Sequence, residues 1–123
     1  MSKLRESTEL EVVDRGPDWL FIRIRPGMQP LDDVAGRLWS LLQKHFIYRL
    51  VLEMDEVECL PSQLIGQLVM LQKRVLQHEG ALRLCGLSPD CAEVLHICRL
   101  DQVLPSFETR EDAVRGFKIA KPR

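Results

Sequence analysis

Apolar residues in the first part of the chain recur at every second position. In "TELEVVDRGPDWLFIRI", Leu20, Ile22 and Ile24 alternate with Phe21, Arg23 and Arg25. A period of two is that of a strand, with one core face and one more polar face. Gly16 and Pro17 in "DRGPD" are turn chemistry. The segment therefore predicts two strands in an antiparallel hairpin. The period then becomes helical. In "LDDVAGRLWSLLQKH", Leu31, Val34, Leu38, Leu41 and Leu42 share a face, acids lead, and Lys44 and His45 close the run. Both ends suit the helix dipole, and the spacing predicts a helix over 31–45. "YRLVLEMD" scarcely alternates, since Leu50, Val51, Leu52 and Met54 are all apolar. Such a run suits a central strand covered on both faces.

The remaining elements follow by the same reasoning. "SQLIGQLVMLQKRVLQHEG" predicts a long helix over 62–79, with Gly80 as the glycine that ends it. "ALRLCG" is a short strand. In "SPDCAEVLHICRL", Ser88 is a helix cap and Pro89 a first helical residue. "QVLPSFE" predicts a last strand, which Pro105 confines to an edge. Thr109 caps a short final helix. After the hairpin, strands and helices alternate. The expectation is an α/β fold: a mainly parallel central sheet of about five strands, an edge hairpin at the N-terminus and four helices with right-handed crossovers. The chain reads as a single domain over 1–123, with its core at about 8–117.

Composition narrows the function. The 123 residues suffice for one core, and a net charge of −1 leaves no basic footprint for nucleic acid. No apolar run approaches the roughly 20 residues of a membrane span. The opening "MSKLRESTELEVV" lacks the apolar segment of a signal peptide, so the cytoplasm is expected. Cys59, Cys85, Cys91 and Cys98 have no C-x-x-C spacing and are expected to be reduced, buried and metal-free. There is no Gly-rich phosphate loop, no G-x-S-x-G and no H-E-x-x-H. No catalytic residue, cofactor or metal is therefore assigned. Mid-helix His96 is expected to be a buried, satisfied histidine. Asp55, Glu56 and Glu58 follow the central strand, where open α/β sheets bind their ligands. The plainer reading of that cluster is a solvated acidic loop.

The helix beginning at Ser62 carries the clearest candidate site. At 100° per residue, Leu64, Leu68, Leu71 and Val75 fall together and must face the sheet. Ser62, Gly66, Met70, Lys73 and Gln77 lie opposite, with Val69 on their flank. Glycine inside a helix costs roughly 1 kcal/mol relative to alanine. A cost of that size on an outward face points to something approaching the backbone. Met70 and Val69 add apolar surface, so the stripe reads as a docking strip. Ser62, after Pro61, also fits a helix cap. Capping and a functional hydroxyl both remain open on these grounds.

The order of elements and several strings resemble the STAS domain of bacterial anti-sigma factor antagonists, over nearly the whole chain. In that family an acidic loop after the central strand leads into a D-S-S-G-L-G-like turn that opens a helix; "VECLPSQLIG" occupies that place here. "GLSPDCAEVLHICRLDQVLPSF" is similar to the family's G-L-S-P helix followed by L-D-x-V-x-P-x-F. The first serine of the turn is phosphorylated by a partner kinase that is also the anti-sigma factor, and the matching residue is Ser62. Pro61 stands in place of an aspartate, Gln63 of the second serine and Leu64 of the first glycine, while Gly66 keeps the second. Arg99 replaces a common glycine after the third helix. The resemblance implies a protein-binding module and no enzyme. It sequesters an anti-sigma factor/serine kinase through Asp55, Glu56, Pro61, Ser62, Gly66, Val69, Met70 and Lys73, and is switched at Ser62. A serine phosphatase and a homodimer are compatible with it. The alternative is an unphosphorylated scaffold in a larger signalling or transport assembly.

Overall fold

The Gly16 N–H donates to the Trp19 carbonyl at 2.9 Å and closes the hairpin between β1 (Leu10–Arg15) and β2 (Leu20–Ile24). The computed structural model describes residues 10–25 and 33–116. In those residues follow α1 (Val34–His45), β3 (Arg49–Glu53), α2 (Ser62–Gln77), β4 (Ala81–Cys85), α3 (Pro89–Ile97), β5 (Ser106–Phe107) and α4 (Arg110–Arg115). The strands lie in the order β1-β2-β3-β4-β5. Only β1 is antiparallel to its neighbour; the other pairs are parallel.

Two apolar layers explain the strand patterns. Leu20, Ile22, Leu50, Leu52, Leu82 and Leu84 form one face of the sheet and are covered by helix residues such as Leu38, Leu42, Leu68, Leu71, Val75 and Leu95. Trp19, Phe21, Val51, Cys85 and Phe107 form the other face, with Ala113 of α4 against it. Leu50, Val51 and Leu52 are all fully buried, which is why that strand does not alternate. The β2 face expected to be polar also carries buried Phe21, because α4 covers it.

Several boundaries differ from expectation. The helix assigned to 31–45 spans Val34–His45, and Leu31 lies outside the described residues. The helix assigned to 62–79 ends at Gln77. Its left-handed closing residue is Glu79, at φ 59°, and not Gly80. Gly80 is needed for a different reason: a Cβ there would collide with the Tyr48 carbonyl at the start of β4. The last strand has only two residues. Ser88 and Thr109 cap as expected, accepting from the N–H groups of Cys91 and Asp112 at 3.2 and 3.1 Å.

Candidate functional site

The loop between β3 and α2 is pinned from within. The Met54 N–H donates to the Cys85 carbonyl at 2.8 Å, and the Val57 N–H to the Met54 carbonyl at 3.0 Å. Val57 and Leu60 insert into the core, and the Cys91 thiol lies 3.6 Å from the Val57 carbonyl. Pro61, with extended backbone, is the helix cap, and its carbonyl accepts from the Ile65 N–H at 3.1 Å. Ser62 is thus the first helical residue and no N-cap, and no side chain caps this helix. The reason lies in the chain: proline has the extended ψ of a cap but no side-chain oxygen to accept from the first amides. The Ser62 hydroxyl is exposed, beside amides that lack intrahelical partners.

One turn on, a Cβ added at Gly66 would meet nothing within 4 Å. Met70 is 58% exposed, Lys73 and Gln77 are exposed, and Val69 is half-buried. Leu64, Leu68, Leu71 and Val75 are buried beneath, as their spacing requires. Leu76 belongs to the same outward stripe and is also 58% exposed. Sequence reasoning missed it, although its helical angle lies beside that of Val69.

The acidic loop is not a free cluster. Asp55 and Glu56 stand 3.7 and 3.5 Å from the Nε atoms of Arg23 and Arg25. Behind them, buried Glu53 pairs with Arg23 at 3.2 Å and with Arg110 at 2.6 Å. Arg110 also reaches Asp14 at 3.1 Å and stacks over Phe21. The acids close a network across the β1–β3 surface that ties α4 to the sheet. Arg23 and Arg110 gave no local signal, since they are 87 residues apart in sequence (110 − 23).

Two further expectations are corrected. Cys85 and Cys91 are buried, but Cys59 and Cys98 are exposed, one in the loop before α2 and the other at the end of α3. His96 is exposed rather than buried: it lies one position from core-facing Leu95, and its Nδ1 sits 3.1 Å from Asp101 Oδ2. Among the described residues, no group of three or more His, Cys, Asp or Glu is arranged to hold a metal ion. No helix in them is long and apolar enough to cross a membrane.

The family model of the STAS domain matches residues 9–113. The chain belongs to the STAS domain family. BtrV of Bordetella bronchiseptica, provisionally named an anti-sigma factor antagonist, is 32% identical over 75 residues, which are 61% of this chain and 65% of that protein. An anti-sigma-factor antagonist (STAS) domain protein from Planctomyces limnophilus superposes with a TM-score of 0.70 at 24% identity, over 86% of this chain and 95% of the other. The anti-sigma factor antagonist SpoIIAA, in its unphosphorylated form, superposes at 0.63 with 19% identity, over 88% and 96%. At such identities the structural likeness is one of fold: five strands, mostly parallel, with this STAS domain's helices distributed over two faces.

Proposed function

We propose that this STAS domain is an anti-sigma factor antagonist that binds an anti-sigma factor/serine kinase along the outer stripe of α2, and that phosphorylation of Ser62 releases it. The observation that carries the reading is the start of α2: an exposed hydroxyl on the first helical residue, uncapped, one turn from a glycine with open space around it. BtrV, with its provisional name, supports the same class of function. Pro61, Gly66, Val69, Met70 and Lys73 form the contact surface with Ser62, and Asp55 and Glu56 flank it from the loop.

The chemistry of the switch follows from charge. A phosphoserine carries close to two negative charges near pH 7. At the positive end of a helix this charge is favourable to the fold by about 0.3–1 kcal/mol. Against a partner surface shaped for a neutral hydroxyl the same charge must be desolvated without a counter-charge, at a cost of several kcal/mol. A loss of that size is enough to abolish a micromolar complex. The switch therefore acts on binding and not on folding. A serine phosphatase would restore the binding form.

The direct test uses a purified kinase-type anti-sigma factor. Incubation with it and ATP is expected to place one phosphate on Ser62, mapped by mass spectrometry. Ser62→Ala is expected to bind constitutively and Ser62→Asp much more weakly. Phosphate at another residue, or none, removes the switch. A scaffold reading then stands, favoured by Pro61 and Leu64, which replace the aspartate and the first glycine of the family's turn. In that case Gly66→Arg still disrupts the assembly.

A further inference from the structure

The outward stripe of α2 does not end at Lys73. It continues through Leu76 into a groove of about 340 Å³ between α2 and the segment before β5, with Val103 on the far wall. Leu76 is 58% exposed and Val103 38%, so the groove has an apolar lip on each side. Two features restrict what can enter it. The first is the state of the backbone at its floor. β5 pairs with β4 only at Leu84 and Cys85, which leaves the outer edge of β4 uncovered at Leu82. There the carboxamide of Gln72, buried under α2, takes the place of a strand. Its Nε2 donates to the Leu82 carbonyl at 3.0 Å and to the Val103 carbonyl at 2.7 Å, and its Oε1 accepts from the Leu82 N–H at 3.2 Å. An extended segment adding to the sheet would find no free donor or acceptor at Leu82. At Leu82 the groove therefore offers an occupant side-chain contacts and no strand pairing.

The second feature is charge. The charged residues lining the groove are Lys73 and Arg83, and no carboxylate lines it. The Arg83 guanidinium is occupied elsewhere, donating to the Ala113 carbonyl at 2.8 Å and lying over Trp19. Exposed Lys73 is left as the cation facing an occupant. A second copy docked about a two-fold axis would bring the two cationic grooves together, which disfavours it.

We propose that this groove is a second contact of the anti-sigma factor interface: it receives an apolar side chain of the partner between Leu76 and Val103, with a partner carboxylate beside it on Lys73. The inference rests on the function proposed above and adds the partner's chemistry at the end of α2 farthest from Ser62. A binding surface that runs the length of the helix would let the Ser62 end release a partner that the groove end holds.

The test measures affinity for the purified kinase-type anti-sigma factor by titration calorimetry, beside sedimentation of the STAS domain alone. Leu76→Asp is expected to weaken binding tenfold or more and Val103→Asp severalfold. Lys73→Glu is expected to weaken it severalfold and to flatten its salt dependence. Both apolar side chains are exposed, so melting temperatures should hold; if Leu76→Asp melts early, Leu76→Ser reads the same contact with a neutral side chain. Affinities within twofold of wild type, while Gly66→Arg abolishes binding, overturn the groove and leave the proposed function standing. Wild-type affinity in Gly66→Arg as well overturns that function too. A wild-type dimer dispersed by Leu76→Asp with partner affinity unchanged gives the groove to a second copy and overturns the proposal.

Discussion

Arg99 occupies the left-handed region at φ 60°, just beyond α3, and accounts in physical terms for a glycine being common there in the family. A side chain at such an angle is strained, and glycine relieves the strain while loosening the unfolded chain. Arg99→Gly is therefore expected to raise stability by about 0.5 kcal/mol, measured as a higher urea midpoint with an unchanged slope. Gly86 shows the opposite sign, since at φ 76° an added Cβ would also lie 3.2 Å from the Asp55 Cβ. At Ser62 the structure removes the capping reading. A capping serine loses about 1 kcal/mol on becoming alanine. Ser62 makes no cap bond, so Ser62→Ala is expected to melt as wild type does. Ser62→Asp is expected to be slightly more stable, by about 0.3–1 kcal/mol, because the new carboxylate sits at the helix's positive end. Calorimetric melting of both variants checks this. Stability and partner affinity then move in opposite directions for aspartate, which only a switch predicts.

At the level of elements, α2 has three distinct duties. Its inner leucines bury against the sheet, its flank ties down the edge of β4, and its outer stripe is the surface proposed above for a partner. Gly66→Arg touches only the last. With nothing within 4 Å of an added Cβ, and arginine a better helix former, the variant is expected to be more stable by roughly 0.5–1 kcal/mol and yet to lose partner binding. Thermal melts beside a binding assay check both halves; a lower melting temperature would falsify the outward placement. Gln72 belongs to the second duty. Gln72→Leu keeps similar bulk but orphans the Leu82 N–H and C=O, each worth about 1–3 kcal/mol when buried and unpaired. The variant is expected to be strongly destabilised, with the Leu82 amide losing its protection in hydrogen exchange.

For the molecule as a whole, the cysteines report how the core is distributed. Alkylation near neutral pH is expected to modify Cys59 and Cys98 quickly and to spare Cys85 and Cys91 until the fold opens. Peptide mapping after timed labelling checks it, and rapid labelling of Cys85 would contradict the second apolar layer. Burial first, and the neighbouring Glu53 carboxylate second, push the Cys85 thiol from its ordinary 9.0 up to about 12. A folded value above the unfolded one favours the neutral thiol. Its contribution to stability is complete below the unfolded value and is lost as pH rises from about 9 towards 12. The same layer explains the arginine network: Glu53, buried between β3 and α4, is satisfied only because Arg23 and Arg110 arrive from opposite ends of the chain.

The periods of two and 3.6, the turn at Gly16 and Pro17 and the caps at Ser88 and Thr109 are local. They made the hairpin, the alternation of strands and helices and the inward face of α2 legible from residue order. The outward stripe was legible for the same reason, since Ser62, Gly66 and Met70 share a helical angle. Contacts between distant residues were not. Whether Ser62 caps depends on where Pro61 sets the first turn, and whether Asp55 and Glu56 are free depends on arginines in another strand. Exposure at the ends of elements was equally hidden. Cys98 shares a helical face with Cys91 but lies just past the end of α3, and His96 turns 100° away from Leu95; the buried residues of α3 are Cys91 and Leu95, with Val94 partly covered beside them. Gln72 is polar in the sequence and buried in the fold, because β5 begins only opposite Leu84 and leaves a backbone edge at Leu82 that the Gln72 side chain closes. Pairing across the sheet, and the burial it imposes, belong to tertiary structure, because they join groups that no local period connects.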